Sequence, residues 1–539
     1  MVAAFPERWL VAHHGVIYTL DEARPRAQAL LARDGRILHA GSDDEVRRLA
    51  PSDRCRWIDL GGRCVLPAFI DSHIHLLALG ANLDRVALSG VASLEAVQQR
   101  VAAAARAAHP GEWVLGWGWD HSLWPGGRLP DRTLLDHVAP DVPVALRRKD
   151  GHLVWVNSAA LAAARIRRET PDPPGGRIGR FPDGEPNGLL FETAIDLIDR
   201  AIPEMTEAQA VRALQRAIAE LHRVGVLGAH IPEGPLTLRA LQRLDQAGQL
   251  QLRATVMLAY RSLDAALQTG LRTGFGGGRL RIGPVKIFAD GSLGSETAAM
   301  LEPFEGQPHN RGIMILSEKE LQEAVARAAQ GGLACAIHAI GDRANRVVLD
   351  AFEATRTDWQ PAGLRQRIEH VQLLHPDDVG RLAALGVIAS MQPIHATQDM
   401  ELVDRLWGKR GRYAYAFRSL LDRGTAIAFG SDAPVESADP LAGIYAAVTR
   451  RRADGTPSGG WHPEERISLI DAVRAYTAGA AWAAGDEGRL GSLAPRKRAD
   501  FVVLSHDIMA SPPEVIPETR VVCSVFDGEV VYSTIPAGE

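Results

Sequence analysis

Two textures of apolar and polar positions alternate along the chain. Near the N-terminus, WLVAHHGVIYTL (residues 9–20) and AQALLARDGRILHAG (27–41) read as short strands, with Asp34 and Gly35 as a two-residue turn signal between apolar runs. The C-terminal end repeats this texture. ADFVVLSHDI (499–508) is followed by RVVCSVFDGEVVYS (520–533), where Asp527 and Gly528 again separate β-branched runs. Both ends therefore read as parts of one small β domain in which the termini meet.

Between them, helical periodicity alternates with short apolar runs, as in LQEAVARAAQGG then LACAIHAIGD (321–342) and DDVGRLAALG then VIASMQPIHA (377–396). Repeated strand–helix units imply parallel strands covered by helices, in an open doubly wound sheet or a closed (β/α)8 TIM barrel. The barrel is the expected α/β fold, because polar residues recur at strand C-termini, where barrel active sites are assembled. The expected division is a β-sandwich from residues 1–62 and 486–539 around a barrel at 63–485. Residues 80–190 break the rhythm with Gly-, Pro- and Trp-rich stretches, HPGEWVLGWGWDHSLWPGG and TPDPPGGRIGRFPDGEPNG, and read as an insertion over the barrel mouth.

Composition narrows the function. With 46% hydrophobic and 23% charged residues, the 539-residue chain has the make-up of a globular protein with a sizeable core. A net charge of -5 offers no general attraction to nucleic acid or anionic lipid, so the expected partner is a small-molecule substrate; a homodimer is compatible with this reading. Four scattered cysteines without a C-x-x-C pair indicate neither a disulfide framework nor a thiolate zinc knot. No signal-peptide pattern or long apolar stretch stands out, so the expected location is the cytoplasm, with no membrane association.

Five strand-like segments end in groups able to bind a metal. RCVLPAFIDSHIH carries His73 and His75, two apart and therefore on one face of a strand. LRIGPVKIFADGS carries Lys286, LACAIHAIGD His338, QRIEHVQLL His370, and TAIAFGSDAPV Asp432. Imidazoles and a carboxylate suit zinc, and also iron, manganese, cobalt or nickel. Singly, each has an ordinary explanation as a core histidine or a turn aspartate; their recurrence at the same end of successive units is what points to a shared metal. Lys286 sits within an apolar run, where a buried ammonium is costly unless paired, for example with Asp290. The chemical alternative is a neutral amine that takes up carbon dioxide as a carbamate able to bridge two cations.

PAFIDSHIHL, VKIFADGSLGSETAA, AIHAIGDRA, RIEHVQLL, SMQPIHA and FGSDAPV together resemble the amidohydrolase superfamily, and within it the YtcJ-like metal-dependent hydrolases (amidohydrolase family 3) that include N-substituted formamide deformylase-like proteins. The resemblance runs in order from about residue 10 to 535 and includes the closing AYTAGAAWAAG and GRLGSLAPRKRADFVVL. It implies a barrel with a β-sandwich built from both chain ends. It also implies that His73 and His75 are ligands of the more buried of one or two divalent ions, zinc first among them. Lys286 would be the carbamylated bridge, His338 and His370 would serve a second ion, and Asp432 would be both ligand and proton acceptor. Ala68 departs from the commoner PGFID form of the first motif.

The expected activity is hydrolysis of a non-peptide C–N bond in an amide, N-acyl or N-formyl compound. Esters, lactams, cyclic imides and deamination are neighbouring chemistries, and a non-catalytic ligand-binding or regulatory protein is the contrasting class. Further candidate substrate contacts are Asp150 and His152 in RKDGHLVWVNSAAL, Arg343, His395, and Trp117 with Trp119 and Trp124 as an apolar lining. Asp342 is the expected helix cap, with Arg343 exposed in the first turn.

Overall fold

The computed structural model describes residues 7–535 apart from 52–53, 84, 149–152, 175, 295 and the side chain of Ser122. Eight parallel strands form the central sheet: β1 (Phe69–Asp71), β2 (Val226–Ile231), β3 (Arg253–Ala259), β4 (Leu280–Phe288), β5 (Cys335–Ala339), β6 (Arg367–His370), β7 (Ile388–Met391) and β8 (Ile427–Phe429). Each pairs with its neighbours in chain order. The seam between first and last strand is joined by the Ser72 N–H donating to the Phe429 carbonyl at 3.0 Å. The fold is therefore the expected α/β barrel.

Strands buried on both faces need continuous apolar sequence, and CAIHA, IASM and IAF supply it. The covering helices are amphipathic. Glu318–Gln330, between β4 and β5, buries Leu321, Ala324, Val325 and Ala328, the i, i+3, i+4, i+7 set of one face, and starts with a capping box of Ser317 and Glu320. Burying Leu321 alone contributes about 1.5–3 kcal/mol. Asp342–Ala354, between β5 and β6, buries Val348, Leu349 and Phe352 in the same way.

Both chain ends build the sandwich. One sheet holds Ala29–Arg33, Arg36–Gly41, Trp9–His13 and Cys55–Asp59; the other joins Val16–Tyr18, Arg26–Ala27 and Cys64–Pro67 to Phe501–Leu504, Val521–Phe526 and Glu529–Ser533. Leu10, Leu30 and Ile37 of the first meet Val65, Phe501, Val503 and Val525 of the second in a common core. Both turn signals are used as such, with φ of 50° and 73° at Asp34 and Gly35 and 50° and 75° at Asp527 and Gly528.

The described residues fall into two compact units, one containing the barrel and sandwich (residues up to 79 and from 214 on), the other residues 80–213. The second has its own six-stranded sheet and an apolar core that includes Leu146, Trp119, Trp124 and Trp155. The stretch that reads in sequence as a Gly-, Pro- and Trp-rich insertion at 80–190 is thus part of a folded unit that extends to residue 213. Among the described residues no helix is long and apolar enough to cross a membrane.

Candidate metal centre

His73 and His75 lie just beyond β1, which ends at Asp71, and not within a strand as their spacing suggests. The segment is held from both sides: the Ile74 N–H donates to the His230 carbonyl (3.1 Å), the Asp432 N–H to the His73 carbonyl (2.7 Å), and the His75 N–H to the Ala433 carbonyl (2.9 Å). Asp71 ties the two loops together, accepting from the His73 N–H and the Ser431 N–H at 3.0 Å each. The approach leaves no room for a side chain at residue 430: a Cβ on Gly430 would lie 2.5 Å from the His73 nitrogen.

This clasp brings three donors together. Asp432 Oδ1 lies 3.3 Å from His75 Nε2 and 3.6 Å from His73 Nε2, and it is buried without a hydrogen bond. His395 Nε2, 3.9 Å from Asp432 Oδ2, is likewise buried and unbonded. Burial pushes the Asp432 carboxyl up, but the neighbouring imidazoles, His75 first and then His73 and His395, hold it at about 2, so it is ionised at neutral pH. Burial, reinforced by Lys286, lowers His73 to about 4. A carboxylate oxygen left unpaired costs about 1–3 kcal/mol. Facing the His73 and His75 imidazoles, with the three donor atoms within 4.8 Å of one another, it fits the donor set of a divalent cation.

The other strand-end residues surround this group. Lys286 in β4 is 4% exposed, and burial lowers it from 10.5 to about 8. Its alternative partner, Asp290, is engaged elsewhere, accepting the N–H groups of Ala299, Ile340 and Gly341 at 2.8–3.0 Å. The ring centroids of His338 and His370 are 4.6 Å apart, and those of His370 and His73 are 5.0 Å apart. His338 Nε2 donates to the Gly291 carbonyl (2.8 Å) and His370 Nδ1 to Gln392 Oε1 (2.8 Å), which leaves Nδ1 of the first and Nε2 of the second as the lone-pair nitrogens. Burial lowers His338 to about 3 and takes His370 well below its usual value. His370 (φ 74°), Val371 (46°) and Asp432 (58°) adopt left-handed backbone, a concentration of strain at the site.

Behind His73 lies a network that sequence reading misses. Glu369 accepts from His73 Nδ1, leaving Nε2 toward Asp432, and is itself paired with Arg367. Arg367 also donates to the Ser72 carbonyl (2.7 Å) and Ser390 Oγ (2.6 Å), and lies 3.0 Å from His230 Nδ1. Burial pushes Glu369 up, but Arg367 and His73 keep it well below the usual carboxylate range. The available signal was an R-x-E pair inside an apolar strand, side chains two apart on one side and too costly to bury unpaired.

The remaining candidates divide. Asp150 and His152 lie outside the described residues. Trp119 and Trp124 are buried; they stack at 5.8 Å in the core of the 80–213 unit, and their indole N–H groups donate to the Leu146 and Val91 carbonyls. Trp117, on the strand Val114–Trp119 of that unit, is 41% exposed. Arg343 is exposed in the first helical turn as expected, but the cap is Gly341 and not Asp342. A Cβ at residue 341 would strike the Ala299 carbonyl oxygen at 1.9 Å, and the Asp342 carboxylate accepts the Leu301 N–H at 2.8 Å.

Residues 56–532 match the amidohydrolase family profile. The putative amidohydrolase YtcJ of Bacillus subtilis is 32% identical over 96% of this chain and 98% of its own length. The N-substituted formamide deformylase of Arthrobacter pascens is 30% identical over 96% and 97%. The crystal structure of an uncharacterized metal-dependent hydrolase from Pyrococcus furiosus aligns at a TM-score of 0.77 and 32% identity, covering 94% of this chain and all of that one. A barrel that gathers imidazoles and a carboxylate beyond its strand ends, matched almost end to end by these proteins, belongs to the amidohydrolase family of metal-dependent hydrolases.

Proposed function

We propose that the protein hydrolyses a C–N bond of a small amide, with N-formyl and N-acyl amines as the substrate class. The observation that carries this is the unpaired, buried Asp432 Oδ1 facing His73 and His75. Similarity to the N-substituted formamide deformylase supports the choice of bond. His73, His75 and Asp432 would hold one divalent cation, zinc first by ligand chemistry, and His338 and His370 would serve a second. A cation bound there lowers the pKa of water and polarises a carbonyl.

The side chains supply the proton handling. Asp432, ionised at neutral pH, accepts the proton released as the water oxygen bonds to the carbonyl carbon. It then gives that proton to the nitrogen as the C–N bond breaks, releasing an amine and a carboxylic acid, a role worth about 10²–10⁴-fold in rate. Lys286, buried and lowered to about 8, has the amine needed to add carbon dioxide as N-carboxylate with loss of one proton. Four free cysteines accord with a reducing, cytoplasmic setting for this chemistry.

The test is to strip metal with a chelator, measure metal content and turnover on a panel of N-formyl, N-acyl and ester substrates, and restore zinc. Recovery of amide hydrolysis in proportion to bound zinc is expected. Full activity in a metal-free preparation, or activity on esters alone, would overturn the reading.

A further inference from the structure

We propose that His13, His14 and Asp59 form a second cation site, in the β-sandwich and apart from the barrel centre, that takes a divalent transition metal such as zinc. Strand pairing creates it. Trp9–His13 runs parallel to Cys55–Asp59, and the register sets His13 beside Asp59 at the ends of the two strands. His14 then turns with φ of 56°, fixed by its N–H donating to Asp43 Oδ1 (2.9 Å) and its carbonyl accepting from the Gly62 N–H (2.6 Å). The Leu60 N–H donates to the His13 carbonyl at 2.8 Å, so both histidine backbones are anchored to the segment that directly follows Asp59.

The side chains converge. The two imidazole centroids are 4.2 Å apart, His14 Nδ1 lies 3.4 Å from Asp59 Oδ1, and one donor atom from each of the three residues lies within 4.8 Å of the others. An ion pair between His14 and Asp59 accounts for two of them and leaves the third unexplained. His13 Nδ1 is buried and has no hydrogen-bond partner, the condition of a nitrogen awaiting a ligand. Two imidazoles and one carboxylate, with solvent free to complete the shell, suit zinc, cobalt, nickel or copper over calcium or magnesium. The bound ion would pin the N-terminal strand to its parallel neighbour.

The experiment uses enzyme already loaded with zinc, dialysed against excess Zn2+, with zinc per chain measured by emission spectrometry and melting followed with and without added Zn2+. Wild type should hold one more zinc than His14→Ala or Asp59→Asn and should gain a zinc-dependent rise in melting temperature that both variants lack, at equal hydrolytic rate. Asp59→Asn, an isosteric change at an exposed carboxylate, serves as the deciding variant if His14→Ala folds poorly. Equal zinc content in wild type and Asp59→Asn would overturn the proposal.

Discussion

Glu369→Gln keeps the volume of a fully buried side chain and removes its charge. The carboxylate serves two donors, His73 Nδ1 and the Arg367 guanidinium; an amide offers one oxygen and turns its NH2 against the second donor. Breaking a buried pair from one side costs about 3–5 kcal/mol, because the remaining charge stays buried. Arg367 keeps Ser72, Ser390 and the nearby His230 as partners, which places the cost near ~3 kcal/mol at the low end of that range. Melting entropy of about 2.1 cal/mol/K per residue gives ~1.1 kcal/mol/K for 539 residues unfolding together, so the melting temperature should fall by about 3 °C. Losing the acceptor that orients His73 should also weaken metal binding by about 10–100-fold. Calorimetry on the metal-free protein and a competition titration with a zinc chelator measure the two effects. A melting shift under ~1 °C, the size of an ordinary surface change, together with unchanged metal affinity, would refute the reasoning.

Other expectations follow from the same geometry. Asp432→Asn should cut turnover by about 10²–10⁴-fold while leaving the circular dichroism spectrum unchanged; turnover near wild type removes its assigned proton role. Burial and Arg367 lower His230 to about 3. The unfolded imidazole binds a proton near its ordinary 6.5 and the folded one does not until about 3, so His230 costs stability as pH falls through that window. His230→Asn should therefore flatten the decline of stability between those limits by about 1.4 kcal/mol per pH unit, read from melting temperatures across a pH series. Equilibration with 13C-bicarbonate should give a carbamate carbonyl signal in the NMR spectrum of the metal-loaded protein that Lys286→Met lacks; identical spectra would remove the carbamate.

The barrel and its ligand candidates were legible because each carrying segment couples an apolar run to a polar end, a pattern with one structural meaning when it recurs. What lay beyond reach depends on contacts between distant segments. Sequence spacing suggests a strand through His73 and His75, whereas β1 stops at Asp71, the chain bends at Ser72 and His73, and the segment is held by the carbonyl of His230 on one side and the loop of Asp432 and Ala433 on the other. Glu369 and His370 are neighbours and would face opposite sides of a regular strand, yet both meet His73; the positive φ at His370 breaks the alternation. The helix cap went to Gly341 because the Ala299 carbonyl leaves no space for a side chain there, information absent from the local sequence. Clustered tryptophans such as Trp119 and Trp124 serve as packing or as a pocket lining, and the sheet of the 80–213 unit places them in its core.

The central claim is that His73 and His75 share one cation with Asp432, which is distant in the chain. Anomalous diffraction at the zinc edge from crystals of the zinc-loaded protein tests it most directly. The account predicts a peak at bonding distance, about 2.0–2.2 Å, from both imidazoles and the Asp432 carboxylate. A fully loaded crystal with its anomalous peaks elsewhere, and none touching those three side chains, would contradict it.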